Sequence, residues 1–143
     1  MNAPPGRRLA VLTCMDARID LDALLDLNLG DAHVIRNSGA IATADVIRAL
    51  AASQRLMGTE EIIVVQHTDC GIHRMDPAAF AADVERETGS TLDWKVPATD
   101  SPQSTLAMTL EILRSSPEIP NRDRISGYVL ELDTGRLLGP QAG

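Results

Sequence analysis

Two cysteines and one histidine occupy positions in this chain where they could bind a metal together. Cys14 follows an apolar run at residues 9–13, and Cys70 follows a second apolar run at residues 61–66, with His67 between that run and Cys70. Each run is typical of a buried strand, so these side chains lie just past the strand ends. If the two strands are parallel neighbours, their ends meet, and thiolates with an imidazole form a ligand set that suits zinc.

A carboxylate and a guanidinium follow Cys14 at alternate positions. In an extended backbone Cys14, Asp16 and Arg18 would point to the same side, whereas in a helix Asp16 would point away from the other two. Asp16 therefore has two possible partners, the metal and Arg18. If Arg18 holds Asp16, the fourth zinc position is open to water. If Asp16 binds the metal, the site is closed.

An open zinc position has a chemical use, because zinc lowers the pKa of bound water to about 7 and so supplies hydroxide at neutral pH. Ionised Asp16 only accepts hydrogen bonds, so it would orient that hydroxide through its proton. Such a nucleophile attacks small electrophilic carbons, for example that of carbon dioxide. The alternatives without chemistry are two buried, inert cysteines and a surface ion pair between Asp16 and Arg18.

Strand and helix patterns alternate along the chain. Besides the two runs already named, strands are predicted at residues 32–36, 128–132 and 136–138. This alternation indicates an α/β fold, with a mainly parallel central sheet of about four to five strands flanked by helices. Ligands of such sheets bind beyond the carboxyl ends of the strands. At 143 residues the chain has the length of one domain, so a single domain over residues 1–143 is expected.

Cap residues mark the ends of the predicted helices. The predicted starts are Asp20, Thr43, Asp76 and Ser101, and the predicted ends are Gly30, Gly58 and Gly89. The apolar stripe of Leu106, Leu110 and Leu113 indicates a helix face that packs in the core or at a subunit interface. His73 is interpreted as a solvated surface histidine.

Composition excludes several kinds of partner. The net charge is −7 and aromatic residues make up only 2% of the chain, so neither a basic patch nor a stacking platform for nucleic acid is available. No apolar run approaches the length of about 18 residues that a membrane span needs. With two cysteines and no export signal, a reducing cytoplasm is expected, where such cysteines are more often ligands than a disulfide.

Three segments together resemble the β-class carbonic anhydrases. They are Cys14-Met15-Asp16-Ala17-Arg18, residues 34–40 and His67-Thr68-Asp69-Cys70-Gly71, in the order of that family. The resemblance extends over about residues 8 to 133. The combination of Cys-x-Asp-x-Arg with His-x-x-Cys is specific, although either half alone would be weak.

The resemblance implies one Zn²⁺ per chain, bound by Cys14, His67 and Cys70. It implies that Asp16 and Arg18 form the catalytic pair and that Asp16 can become the fourth metal ligand. The implied activity is that of a lyase, the reversible hydration of carbon dioxide to bicarbonate. The implied assembly is a homodimer or a higher homo-oligomer with the site near the subunit interface.

Two other interpretations stay open. Hydrolases of carbonyl sulfide and carbon disulfide share this fold and motif, so the motif does not identify the substrate. The third interpretation is a zinc-stabilised regulatory protein in which Asp16 closes the site and no turnover occurs.

Overall fold

The fold is built around one mixed β-sheet. The computed structural model describes residues 2–96 and 100–141, and within that part of the chain five strands form a single sheet. The elements in chain order are β1 (Leu9–Cys14), α1 (Leu21–Leu25), β2 (Ala32–Asn37), α2 (Ala44–Met57), β3 (Glu61–His67), a 3-10 turn (Gly71–Arg74), α3 (Pro77–Thr88), α4 (Pro102–Arg114), β4 (Ile125–Glu131) and β5 (Arg136–Gln141).

The strand order across the sheet is β2-β1-β3-β4-β5. β1 pairs in parallel with β2 and β3, β3 pairs in parallel with β4, and only β5 runs antiparallel. The carboxyl ends of β1 and β3 therefore lie side by side, with Thr13 opposite Val65. The predicted α/β fold with a mainly parallel sheet is confirmed.

The apolar runs become central strands because both faces of the sheet are covered. Every residue of β1 is buried, and so are the last four residues of β3. The predicted stripe on α4 lies in the core, where Leu106, Leu110 and Leu113 are at most 1% exposed. A Cβ on Gly127 of β4 would come within 2.7 Å of Leu106 Cδ1, so the glycine permits the close approach of helix and sheet.

The three longer helices begin where their caps predict. The side chains of Thr43, Asp76 and Ser101 accept hydrogen bonds from backbone N–H groups in the first turns of α2, α3 and α4. Gly58 ends α2 in the left-handed conformation, at φ +72°. Among the helices of the described residues, none has the length and apolar character needed to cross a bilayer.

Three boundaries differ from prediction by two residues or more. β5 ends at Gln141 instead of residue 138, because it pairs with β4 as far as Gly127. α1 ends at Leu25 instead of residue 27, because Asp26 adopts the left-handed conformation at φ +52° and ends the helix before Gly30. β4 begins at Ile125 instead of Tyr128. Ser126 and Gly127 have a low intrinsic preference for strands, but their backbones pair with β3 and so extend the strand.

Candidate metal centre

Cys14, His67 and Cys70 converge at the carboxyl edge of the sheet. Cys14 is the last residue of β1, His67 is the last residue of β3, and Cys70 directly precedes the 3-10 turn. Their ligand atoms all lie within 4.8 Å of one another, and all three residues are buried. The predicted meeting of the two strand ends is confirmed. The assignment of these residues as zinc ligands stays a prediction.

The hydrogen bonding of His67 fits a metal ligand. Nδ1 lies 2.8 Å from the carbonyl oxygen of Thr68, and since a carbonyl only accepts, Nδ1 carries the proton of the neutral ring. Nε2 is therefore a buried acceptor, and it has no hydrogen-bond partner among the described residues. A histidine held through one nitrogen, with the other aimed at thiols, is the arrangement found in metal sites.

The two thiols of the site have different electrostatic surroundings. Burial opposes ionisation of Cys14, but His67, when its ring is protonated, and nearby backbone N–H groups outweigh it and lower the pKa of Cys14 from 9.0 to about 7. Burial raises the pKa of Cys70, and the neighbouring Cys14 adds to that effect. The two cysteines are not joined by a disulfide. Cys14 is therefore the thiol that is more readily converted into the thiolate that binds metal.

Asp16 is paired with Arg18 through both carboxylate oxygens. Nε of Arg18 donates to Oδ1 at 3.0 Å, and Nη2 donates to Oδ2 at 2.7 Å. These bonds hold the pKa of Asp16 well below its usual range and raise the pKa of Arg18. Oδ2 of Asp16 is also 3.8 Å from Nε2 of His67. The sequence was compatible with two partners for Asp16, the metal and Arg18. In this structure the carboxylate is hydrogen bonded to Arg18.

Arg36 supports the segment that carries Asp16, a role that the sequence did not reveal. Its guanidinium donates to the carbonyl oxygens of Cys14 at 2.8 Å, Asp16 at 2.7 Å and Ile19 at 3.3 Å. The segment after β1 is thereby held in an irregular conformation. Only the position of Arg36 within a segment that resembles the family could have drawn attention to it.

Asp69 is a second carboxylate on Arg18 that sequence reasoning missed. Nη1 of Arg18 donates to Oδ2 of Asp69 at 2.9 Å, and Nη2 donates to the Asp69 carbonyl oxygen at 3.0 Å. Arg74 binds the other carboxylate oxygen of Asp69. No spacing rule pointed to this contact, because Arg18 and Asp69 are brought together only by the pairing of β1 with β3.

A buried glutamine supports the loop beside the site. Gln66, which is 0% exposed, donates from Nε2 to the carbonyl oxygens of Gly39 and Ala40, both at 2.9 Å. Thr109 of α4 also donates to the Ala40 carbonyl, at 3.3 Å. Ala40 has φ +50°, an uncommon conformation for a residue other than glycine, and these donors help to hold it.

A cavity of about 290 Å³ opens beside this loop. Its polar wall includes Asn37, the strand partner of Cys14. Its apolar lining includes Ile41, Ile72, Met75, Phe80, Trp94 and Val96.

His73 lies outside the candidate metal centre and differs from its prediction. It is half-buried instead of solvated, and its Nε2 lies 3.1 Å from Oγ1 of Thr105 on α4. The prediction was wrong because α4 covers the 3-10 turn, a contact that local sequence does not show.

The carbonic anhydrase family profile matches residues 9–135. The chain belongs to this family. The β-carbonic anhydrase 1 of Mycobacterium tuberculosis is 38% identical over 134 residues, covering 94% of this chain and 82% of that protein. The carbonic anhydrase of Streptococcus mutans has a similar fold, with a TM-score of 0.89 and 37% identity over 96% of this chain and 84% of that one.

Another relative is named for a different activity. A carbon disulfide hydrolase of an Acidianus species is also 38% identical, over 161 residues that cover 96% of this chain and 79% of that protein. The predicted resemblance to the carbonic anhydrases is confirmed, and the chain is an enzyme of that family.

Proposed function

We propose that the protein catalyses the reversible hydration of carbon dioxide to bicarbonate, with one zinc ion per chain bound by Cys14, His67 and Cys70. The observation that supports this most directly is the carboxylate of Asp16, which Arg18 fixes beside three converging ligand atoms. A zinc ion in a site with two thiolates and an imidazole acidifies water and so supplies a nucleophile at neutral pH.

Asp16 has the properties of the group that orients this nucleophile. Arg18 keeps its pKa below the usual range, so the carboxylate is ionised at neutral pH and only accepts hydrogen bonds. It therefore selects for a group that donates a proton and aligns that group for attack. Arg18 is the other half of the catalytic pair, since its two hydrogen bonds set the direction of the carboxylate.

We infer that the resting site is open. Both Asp16 oxygens are occupied by Arg18, which favours this arrangement over a site closed by Asp16 as a fourth ligand. The pairing is an argument against the regulatory interpretation, because that interpretation requires Asp16 to bind the metal permanently.

Hydrolysis of carbon disulfide or carbonyl sulfide is the second candidate function. It is supported by the carbon disulfide hydrolase among the relatives.

The deciding experiment is stopped-flow hydration of carbon dioxide by zinc-replete protein from pH 6.5 to 9, followed by turnover of carbonyl sulfide and carbon disulfide under the same conditions. We expect carbon dioxide turnover that increases from pH 6.5 to 9, because the fraction of zinc-bound water that has lost its proton increases with pH. Zinc-loaded protein that is inert with carbon dioxide at every pH would contradict the proposal. Faster turnover of either sulfur compound would establish the second candidate.

We propose that the enzyme is cytoplasmic and forms a homodimer or a higher homo-oligomer. A reducing compartment keeps both site cysteines as thiols. β2 is an edge strand, and it exposes 43% of Val34 while Leu56 of the adjacent α2 is 76% exposed. Light scattering after size-exclusion chromatography should give at least twice the chain mass of 15.3 kDa. A fully active monomer would contradict this.

A further inference from the structure

We propose that Asp69 is a positioning residue that acts through Arg18 and so keeps Asp16 directed away from the metal ligands. This inference rests on the proposed function, because it concerns the same catalytic pair. The role of Asp69 is separate from metal binding, since its carboxylate oxygens contact only guanidinium groups among the described residues.

The Arg18 guanidinium is held from two directions. Asp16 accepts from Nε and Nη2, while Asp69 accepts from Nη1 through its carboxylate and from Nη2 through its carbonyl oxygen. The side chain of Arg18 is 51% exposed, so Asp16 alone would leave the outer end of the guanidinium free to swing into solvent. Asp69 belongs to the chain segment after β3, and its contacts tie Arg18 to the body of the sheet.

The backbone of Asp69 serves this contact. Its φ is +56°, the left-handed conformation that few residues other than glycine adopt, although Asp and Asn tolerate it better than most. In this conformation the carbonyl oxygen and the carboxylate of one residue both reach Arg18. A connection between His67 and Cys70 does not by itself require two acceptors on one guanidinium, so the presence of both supports a role for Asp69 in holding Arg18.

Removing the Asp69 carboxylate should loosen Arg18 and allow Asp16 to turn towards the metal ligands. The expected result is lower turnover without loss of zinc, because the three ligand residues stay unchanged. Outer partners of a metal site typically contribute about 10- to 100-fold to activity. We expect the lower end of that range here, since Asp16 retains both of its own bonds to Arg18.

The test uses Asp69→Asn, with Arg74→Gln as the matched control. Asn tolerates a positive φ and keeps the carbonyl contact, so the side chain loses its charge and one of its two acceptor oxygens. We expect Asp69→Asn to lower kcat/KM for carbon dioxide about tenfold at unchanged zinc content. Arg74→Gln removes the other partner of Asp69 but leaves Arg18 held, and should stay within about twofold of wild type. Asp69→Gly, which has no steric cost at this φ and removes every side-chain acceptor, should lower kcat/KM at least as much as Asp69→Asn.

A second readout does not depend on turnover. In the cobalt-substituted protein, thiocyanate should change the visible spectrum only where a coordination position is exchangeable. Asp69→Asn should require about fivefold more thiocyanate than wild type or Arg74→Gln, because Asp16 competes for that position. This holds even if wild type fails to hydrate carbon dioxide, so failure of the proposed function is distinguishable. Wild-type behaviour of Asp69→Asn in both assays, or equal effects of Asp69→Asn and Arg74→Gln, would overturn the inference.

Discussion

Oδ2 of Asp16 lies 3.8 Å from Nε2 of His67, and Arg18 binds the same oxygen at 2.7 Å. At 3.8 Å the carboxylate and the imidazole are not hydrogen bonded, so Asp16 is close to the candidate metal ligands without being tied to them. Its direction is set by Arg18. This relationship separates metal binding from orientation of the nucleophile, and the two can be tested independently.

Replacing Asp16 with Ala should leave zinc bound at about one ion per chain and lower carbon dioxide turnover about 100-fold, because the acceptor that orients the nucleophile is lost. Zinc content by mass spectrometry and stopped-flow turnover are measured on the same sample. Asp45→Ala is the control, since Asp45 forms an exposed ion pair with Arg48 on α2 and is remote in sequence from the candidate ligands. Full activity in Asp16→Ala would disprove its assigned role.

Replacing any one of the three candidate ligands should lower zinc affinity by more than the roughly 10- to 100-fold that an outer partner contributes. The variants are Cys14→Ser, His67→Gln and Cys70→Ser, assayed by competition with a chelator. His33→Gln is the matched histidine control, since the His33 ring bonds to Ser53 instead of lying at the candidate site. Zinc affinity that is unchanged in all three variants would show that the metal, if any, binds elsewhere.

Zinc affinity should rise with pH, most steeply below pH 7. Zinc binds thiolates, so each thiol that is protonated in the free protein must release its proton. The pKa of Cys14 is about 7, and burial raises that of Cys70. Below pH 7 both thiols lose protons on binding, and so does His67, whose pKa is raised, where its ring is protonated. At higher pH the proton comes mainly from Cys70. A chelator competition series from pH 6 to 8.5 should show at least about a tenfold gain per unit. A flat series would contradict this.

Gln66→Leu should lower the free energy of unfolding by about 1–3 kcal/mol, because the buried Gly39 and Ala40 carbonyls lose a donor. Thr109→Val removes the second donor to Ala40. The double variant should lose more than the sum of the single losses, since the Ala40 carbonyl is then without either donor. Urea unfolding at an unchanged m-value measures all three. Strict additivity would show that the two donors do not share this role.

The sequence predicted those features that depend on local pattern. The apolar runs before Cys14 and His67 became β1 and β3, and the caps at Thr43, Asp76 and Ser101 set the starts of the longer helices. These predictions succeeded because continuous apolar runs and cap side chains have a direct physical effect on the few residues around them.

The features that the sequence did not reveal depend on contacts between distant segments. Arg36 reaches the segment after β1 across neighbouring strands, and Asp69 reaches Arg18 over 51 positions. Neither contact has a local signature, because its geometry exists only once the strands have paired in register. The early end of α1 at Asp26 was missed for a different reason, since Gly30 offered a stronger stop signal nearby.

The parallel direction of β1 and β3 also sets which parts of the surface are remote from the chemistry. Both strands begin at the same end of the sheet, and both finish at the opposite end, where the candidate metal centre lies. β3 is seven residues long, so its two ends are about 20 Å apart. The connection at residues 58–60 lies at the far end of these strands. Thr59 is buried there but Gly58 is exposed, so a fluorophore, an affinity tag or a surface tether would be placed beside Gly58. A protein immobilised there would present its metal centre to the solution.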